Sequence, residues 1–230
     1  MNKLKQKALA FLERATAKAG YILDVKSWEL TTIFEIDIQL PGITMQSWQT
    51  VQHMKIKVAD MTYRDYSPAI WDSSTNTCKL FIDAGHTGAG SNWVRQLRKG
   101  DAFTYIGIGP TPHKPIQAGE MFCLGDASSI GHFLALEQLT KNSGDFSGVI
   151  ALNNIQQQLE FERYLSTNLE TVVSKKENLS SSLAMEISQR RLTDETIFIA
   201  GNIPAVTQLR KQIKQQPQFT GAIKAQGFWS

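Results

Sequence analysis

The sequence predicts two domains, an antiparallel β-barrel over residues 1–117 and an α/β domain with a parallel sheet over residues 118–230. Three observations carry that expectation. From about residue 30 to 108 the apolar signal has mostly a period of two, as in half-buried antiparallel strands. The stretch "GPTPHKPIQAGE" then places three prolines in twelve residues. Beyond it, short continuous apolar runs alternate with helical patterns, which is how a parallel sheet covered on both faces reads.

The opening stretch "MNKLKQKALAFLERATAKAG" puts Leu4, Ala8, Phe11, Leu12, Ala15 and Ala19 on one face at helical spacing. It predicts a terminal helix, either packed on the protein or lying on a membrane surface. In "IFEIDI", Phe34, Ile36 and Ile38 alternate with Glu35 and Asp37, and in "HMKIKVA", Met54, Ile56 and Val58 alternate with lysines. "CKLFIDA" and "FTYIGI" predict two further strands, separated by "GHTGAGSNWVRQLRKGD", a loop and then a short helix. Several short strands with one helix suit a small barrel. In the second domain "MFCLG", "GVIAL", "TVVS" and "TIFIAG" are the strand-like runs. Between and after them come the helical stretches "SSIGHFLALEQLTK", "IQQQLEFERYLS" and "IPAVTQLRKQIKQQ". The last has Pro204 near its start and Ile203, Val206, Leu209 and Ile213 on one face. Residues 174–195 read as a polar loop followed by an amphipathic helix.

Composition narrows the classes of function. With 42% hydrophobic and 20% charged residues the chain is of globular type, and no apolar run reaches the roughly 18–20 residues that span a bilayer. The net charge of +3 comes without a dense Lys/Arg stripe, so nucleic acid is not an expected partner. A soluble, cytoplasmic protein is expected, with Cys78 and Cys123, each inside an apolar run, as reduced core residues. His53, His86, His113 and His132 show neither HExxH nor a paired ligand spacing, so no metal site is expected from local motifs.

Three stretches carry candidate chemistry. In "GHTGAGSNWVRQL", Gly85, Gly88 and Gly90 precede Ser91 and a helical pattern. Glycines admit a ligand close to the backbone and a helix start offers unpaired N–H groups, a combination suited to a diphosphate. A plain loop with Ser91 as helix cap explains the same residues. In "MTYRDYSPA", strand alternation sends Arg64 and Tyr66 to one face, with Ser67 pointing across or sitting at a turn made by Pro68. A guanidinium grips phosphate, an aromatic ring lies against a flat heterocycle, and a hydroxyl donates to a ring nitrogen. The alternative is a strand-end arginine paired with a carboxylate, beside a half-buried tyrosine. In "FCLGDASSIGHFLAL", a buried strand ends in Gly125 and Asp126 and small residues open a helix, at the strand end where open parallel sheets bind ligands. No GxGxxG is present, and helix capping by Asp126 or Ser128 accounts for the stretch equally well. "FIAGNIPAV" repeats the arrangement.

The order of these parts resembles the ferredoxin reductase superfamily and, within it, the siderophore-interacting proteins, flavoproteins that reduce ferric siderophores. The resemblance spans roughly residues 15–230 and makes the first domain FAD-binding and the second NAD(P)-binding-like. It implies that Arg64 contacts the flavin's phosphates, that Tyr66 packs on the isoalloxazine, and that Ser67 is the catalytic-site residue that orients or hydrogen-bonds N5. "DAGHTGAGSNW" is similar in outline to the family's Asp-x-x-x-His-Gly-x-x-Gly-x-x-x-x-Trp pattern, which implies His86 beside the flavin and Gly88, Gly90 and Ser91 at the diphosphate. "LGDASSIGHFLAL" resembles the family's Gly-Asp-Glu-Thr helix start, which brings Gly125 and Asp126 into the cofactor set. The closing "GFWS" resembles a Gly-Tyr-Trp-Arg ending, leaving Trp229 either near the flavin or buried between domains. NADPH, NADH or a reduced ferredoxin is the implied donor, and a ferric siderophore the implied acceptor. Lys175, Lys176, Lys211, Lys214 and Lys224 are candidates by charge for meeting an anionic siderophore, or are solvated surface residues. Ala127, Asn202 and Ala69 depart from the family's Glu, Glu and Arg, which makes donor preference the open feature. The competing functions are a flavin or ferredoxin reductase with another acceptor and a non-catalytic flavin-binding relay.

Overall fold

The computed structural model describes residues 16–28, 32–141, 145–190 and 192–230. It divides into two compact units between Thr111 and Pro112, ahead of the cut expected from the proline-rich stretch. Of the helix expected over residues 1–20, residues 1–15 lie outside the described residues. Ala19, expected on its face, belongs instead to strand β1 (Lys18–Ser27), where Gly20 and Ile22 are buried at alternate positions.

In the first unit β1 is joined by β2 (Ile33–Gln39), β3 (Gln52–Ala59), β4 (Thr62–Tyr66), β5 (Ala69–Asp72), β6 (Thr77–Asp83) and β7 (Ala102–Pro110). They form one seven-stranded sheet in the order β4-β3-β7-β1-β2-β6-β5, every pairing antiparallel. The edge strands β4 and β5 are joined by Ser67 and Pro68 alone. So short a link brings the two ends of the sheet together, and the sheet curls into a barrel. The alternation read from the sequence becomes its core: Ile36, Ile38, Met54, Ile56 and Leu80 are completely buried. One helix, α1 (Ala89–Gln96), lies between β6 and β7 in the chain and sends Val94 into that core.

The second unit is a five-stranded parallel sheet of β8 (Glu120–Asp126), β9 (Asp145–Leu152), β10 (Leu169–Val173), β11 (Thr196–Asn202) and β12 (Ala222–Trp229), ordered β10-β9-β8-β11-β12. Helices α2 (Ile130–Thr140), α3 (Ile155–Tyr164), α4 (Leu179–Gln189) and α5 (Ile203–Lys214) connect the strands. Strand β11 is buried along its whole length, which its continuous apolar run required. Leu183, Ile187, Leu209 and Ile213 of α4 and α5 pack with Ile197 and Ile199 in one cluster. The chain lays strands outward from β8 in one direction and from β11 in the other. The reversal between these neighbours is a switch point, and their carboxyl ends, Asp126 and Asn202, stand at the position where open parallel sheets take ligands.

Both cysteines are free and buried, and burial pushes their thiols up, away from nucleophilic chemistry at neutral pH. Among the described residues no helix is long and apolar enough to cross a membrane, and no three potential metal ligands gather in one place.

Candidate functional site

The register of β4 on β3 sets the first part of the site. Tyr66 stands opposite Met54 and Arg64 opposite Ile56, both fully buried, so Arg64 and Tyr66 lie on the core-facing side of the sheet at its edge. Asp65 faces the other way and meets Lys55 at 2.9 Å. Arg64 has no carboxylate partner among the described residues, and its Nη1 donates to the neighbouring Tyr63 carbonyl at 2.8 Å. Tyr66 lies near-parallel to Trp93 of α1, with ring centroids 6.1 Å apart and planes at 20°. Burial pushes the Tyr66 hydroxyl up to about 12 although Arg64 pulls it down, so the phenol remains a neutral donor. Ser67 is half-buried in the link between the edge strands, and the next residues, Pro68 and Ala69, are buried. An arginine at position 69 would have to enter the barrel core.

The start of α1 supplies the second part. Gly88 is its N-cap, with no side-chain capping bond, and Ser91 is a residue of the first turn rather than the cap. The Ser91 Oγ is buried and has no hydrogen-bond partner. The two glycines of this turn differ in kind. Gly88 has an extended backbone, and a Cβ there would meet only His86 at 3.8 Å. At Gly90 a Cβ would stand 2.5 Å from the Tyr66 Oη and 3.6 Å from the Arg64 Cγ. Only a glycine lets β4 and the helix start come this close. His86 is exposed in the turn after β6, near Asp83, whose carboxyl burial raises against the opposing effects of the Gly85 N–H and of His86.

Arg64, Tyr66 and Gly90 are thus brought together, with Ser91 next to Gly90 in the first turn of α1. An uncapped helix start, an orphaned buried hydroxyl, a guanidinium with no carboxylate and a flat ring suit a ligand that carries both a diphosphate and an aromatic system. The residues present fit a flavin dinucleotide.

In the second unit, Asp126 joins the two strand ends at the switch point. Its Oδ1 accepts from the Ser128 N–H at 2.9 Å and the Ser128 hydroxyl at 2.5 Å, and its Oδ2 accepts from the Asn202 N–H at 2.7 Å. Asn202 in turn caps α5, its Oδ1 accepting from the Ala205 N–H at 3.1 Å. Gly201, at φ +125°, is needed here because a Cβ would fall 2.5 Å from the Asp126 Oδ2. Gly125 has a packing role, since a Cβ there would press on Ser129, the Ala200 carbonyl and Phe133. Trp229 lies opposite Asn202 in the sheet and its Nε1 donates to the Ser128 Oγ at 3.1 Å, with the Lys176 ammonium 4.4 Å over its ring. Of the other lysines, Lys211 and Lys214 occupy the last turn of α5, where cations oppose the carbonyl end of the dipole, and Lys224 lies 5.1 Å over Phe198.

One constellation was not foreseen. His113 and His132 are buried, with Nδ1 of the first and Nε2 of the second 2.8 Å apart, and Phe198, Phe133 and Phe228 lie around them. Burial, then the charge of Lys224, lowers His113 to about 4, and burial, then His113, holds His132 well below the ordinary imidazole range. Both are neutral when folded, whereas the unfolded chain binds protons from about pH 6.5 downward. Stability is therefore complete above pH 6.5 and falls as the pH drops toward 4, by about 3 kcal/mol from His113 alone. Denaturant melts of the wild type and of His113→Phe between pH 7 and 4 check this, the variant being expected to lose much of the slope.

The sequence matches no protein-family model and no curated protein. Solved structures do resemble the chain. A siderophore-interacting protein from Acinetobacter baumannii superposes with a TM-score of 0.71 over 93% of this chain and 90% of its own, at 12% identity. A siderophore utilization protein from T. fusca does so with a TM-score of 0.70 over 93% and 92%, at 14% identity. Ferredoxin-NADP+ reductase from Plasmodium falciparum gives 0.69 over 93% and 97%, at 13% identity. At such identities the likeness establishes the fold, an antiparallel barrel and a parallel α/β unit of the ferredoxin reductase type.

Proposed function

We propose that this chain is an FAD-dependent reductase that passes electrons to a ferric siderophore, releasing ferrous iron. The observation that carries the reading is the meeting of Arg64 and Tyr66 with Gly90 at the uncapped start of α1, whose first turn also holds the unpartnered Ser91 hydroxyl. A bound flavin supplies the redox chemistry, accepting two electrons from its donor and passing them on singly. Arg64 holds the diphosphate together with the first-turn N–H groups of α1 and the Ser91 hydroxyl. Tyr66 lies along the ring system, and Ser67 orients the flavin through N5 rather than acting as a nucleophile. His86 and Gly88 border the same site. Iron leaves because hard oxygen ligands hold the ferrous ion more weakly than the ferric one.

The donor is NADPH, NADH or a reduced ferredoxin. At the switch point the Ser128 and Asn202 N–H groups are already bound to the Asp126 carboxylate, a negative charge where this type of sheet receives a nucleotide's phosphates. That arrangement favours ferredoxin. Reduction of another acceptor is the second reading, favoured by the likeness to a ferredoxin-NADP+ reductase.

The purified protein is expected to be yellow or to take up FAD, and to bleach anaerobically with one of the three donors. Added ferric siderophore should then yield ferrous iron in a chelator trap. Bleaching without ferrous iron supports the second reading, no bleaching by any donor leaves a flavin-binding relay, and failure to bind FAD overturns all of them. Arg64→Ala removes charge-assisted hydrogen bonds worth about 1.5–3 kcal/mol and is expected to weaken FAD retention roughly 10- to 100-fold. Equilibrium dialysis measures it, and unchanged retention refutes the role.

A further inference from the structure

A run of ring contacts leads from the barrel core to the candidate site. Gly20 of β1 stands opposite Phe103 of β7, and a Cβ on Gly20 would run into the Phe103 ring, so the ring lies across the glycine. Phe103 is buried in the core and meets Trp93 of α1 edge to face, with ring centroids 6.3 Å apart and planes at 71°. Trp93 in turn lies near-parallel to Tyr66.

Gly90 and Trp93 are three residues apart in α1, so they share one face of the helix, about 4.5 Å apart along its axis. That face takes Tyr66 at two points, the hydroxyl approaching Gly90 and the ring lying beside Trp93. The two contacts fix different things. The phenol oxygen lies on the axis about which the ring turns, so the contact at Gly90 sets the place of the oxygen and does not restrain rotation. The torsion that turns an aromatic ring has broad minima and sets no plane by itself. A second ring at 20° does set one, because turning Tyr66 out of its plane gives up the stacked contact. Trp93 is only partly buried, and its own plane is set by the edge of Phe103, which the core holds.

We propose that Trp93 is a positioning residue for the cofactor, setting the plane in which Tyr66 meets the flavin, with Phe103 as its support. The proposal rests on the reading of Tyr66 as the residue that lies along the flavin ring system. Contact between flat rings depends on their relative orientation, so a tyrosine turned out of its plane loses much of what it contributes. The same helix thus serves the cofactor twice, through the N–H groups of its first turn and through the side chain of Trp93.

Two measurements on the full chain test the proposal: FAD affinity by equilibrium dialysis, and the visible circular dichroism of the bound flavin, which reports the asymmetry of its surroundings. Trp93→Leu is expected to weaken FAD about fivefold, the size of one aromatic pair, and to change the dichroic bands. Trp93→Phe, which keeps a flat ring, should restore most of both. In a Tyr66→Leu background, Trp93→Leu should weaken FAD no further, since no ring is left to orient. Phe103→Leu keeps the indole but removes its support, and it should change the dichroic bands in the same direction. Unchanged affinity and dichroism in Trp93→Leu, or losses that add in the double variant, overturn the proposal. Should Trp93→Leu not fold, unchanged dichroism in Phe103→Leu overturns it. A Tyr66→Leu protein that binds FAD like the wild type overturns the reading of Tyr66 and the proposal with it. Weakened binding in Tyr66→Leu beside unchanged binding in Trp93→Leu overturns the proposal alone.

Discussion

Replacing Gly90 with alanine is expected to destabilise the barrel unit by about 2 kcal/mol and to weaken FAD retention about 30-fold. Alanine in place of glycine inside a helix ordinarily stabilises by about 0.5–1 kcal/mol, so the expected sign is opposite to the helical norm. The reason is steric. The new Cβ would lie 2.5 Å from the Tyr66 Oη, and relief requires the tyrosine to leave its place beside Trp93 or α1 to draw away from β4. The double variant Gly90→Ala, Tyr66→Phe separates this cause from others, because without the hydroxyl the nearest atoms are the Arg64 Cγ at 3.6 Å and the ring at 3.8 Å, ordinary contacts. Its stability should return to that of Tyr66→Phe or exceed it. Chemical denaturation of the four proteins in this cycle measures the coupling, and additive effects would refute the contact. Gly88→Ala, where nothing lies closer than 3.8 Å, should leave stability nearly unchanged.

Replacing Asp126 with alanine is expected to cost the second unit about 3–4 kcal/mol. The carboxylate accepts three hydrogen bonds, from the Ser128 N–H, the Ser128 hydroxyl and the Asn202 N–H, and it is buried. Its removal leaves a buried backbone donor unpaired at Asn202 and uncaps the turn that leads into α2. Asp126→Asn keeps one acceptor oxygen and sets an amide N–H₂ against a donor, so roughly half the loss is expected. If both variants melt like the wild type, the carboxylate does not join the two strand ends. If Asp126→Asn also lowers the KM for NADPH, the negative charge at the switch point is what disfavours a nucleotide donor.

Much of the architecture was legible because burial on one face of a strand writes itself into neighbouring residues. Phe34, Ile36 and Ile38, and Met54, Ile56 and Val58, announce half-buried strands by alternation, and the continuous run of β11 announces a strand buried on both faces. Three strands escaped this reading, β1, the four-residue β5 and β12. β1 follows a stretch with helical spacing, which drew Ala19 into the wrong element. β12 is a half-exposed edge, where neither alternation nor a continuous apolar run is imposed, so its sequence carries little of either signal. The division into units falls before His113 because that residue is buried with α2, a contact no local pattern records.

The candidate site divides along the same line. That Arg64 and Tyr66 share a face and that a glycine-rich turn opens α1 follow from short-range geometry, and the sequence alone determines both. Gly88 and Gly90 look equivalent as letters. What separates them is Tyr66, brought against one and not the other by the pairing of β4 with β3. Asp126 could be read as a cap or as a ligand, and it is the Asn202 N–H, reached only when β11 is laid beside β8, that makes it a joint between strands. The His113 and His132 pair has no local signature at all. Periodicity is a property of neighbours in the chain, whereas close approach, an unpartnered buried atom and a hydrogen bond between distant strands exist only once the chain has folded, and these decide which of the candidate residues form a site.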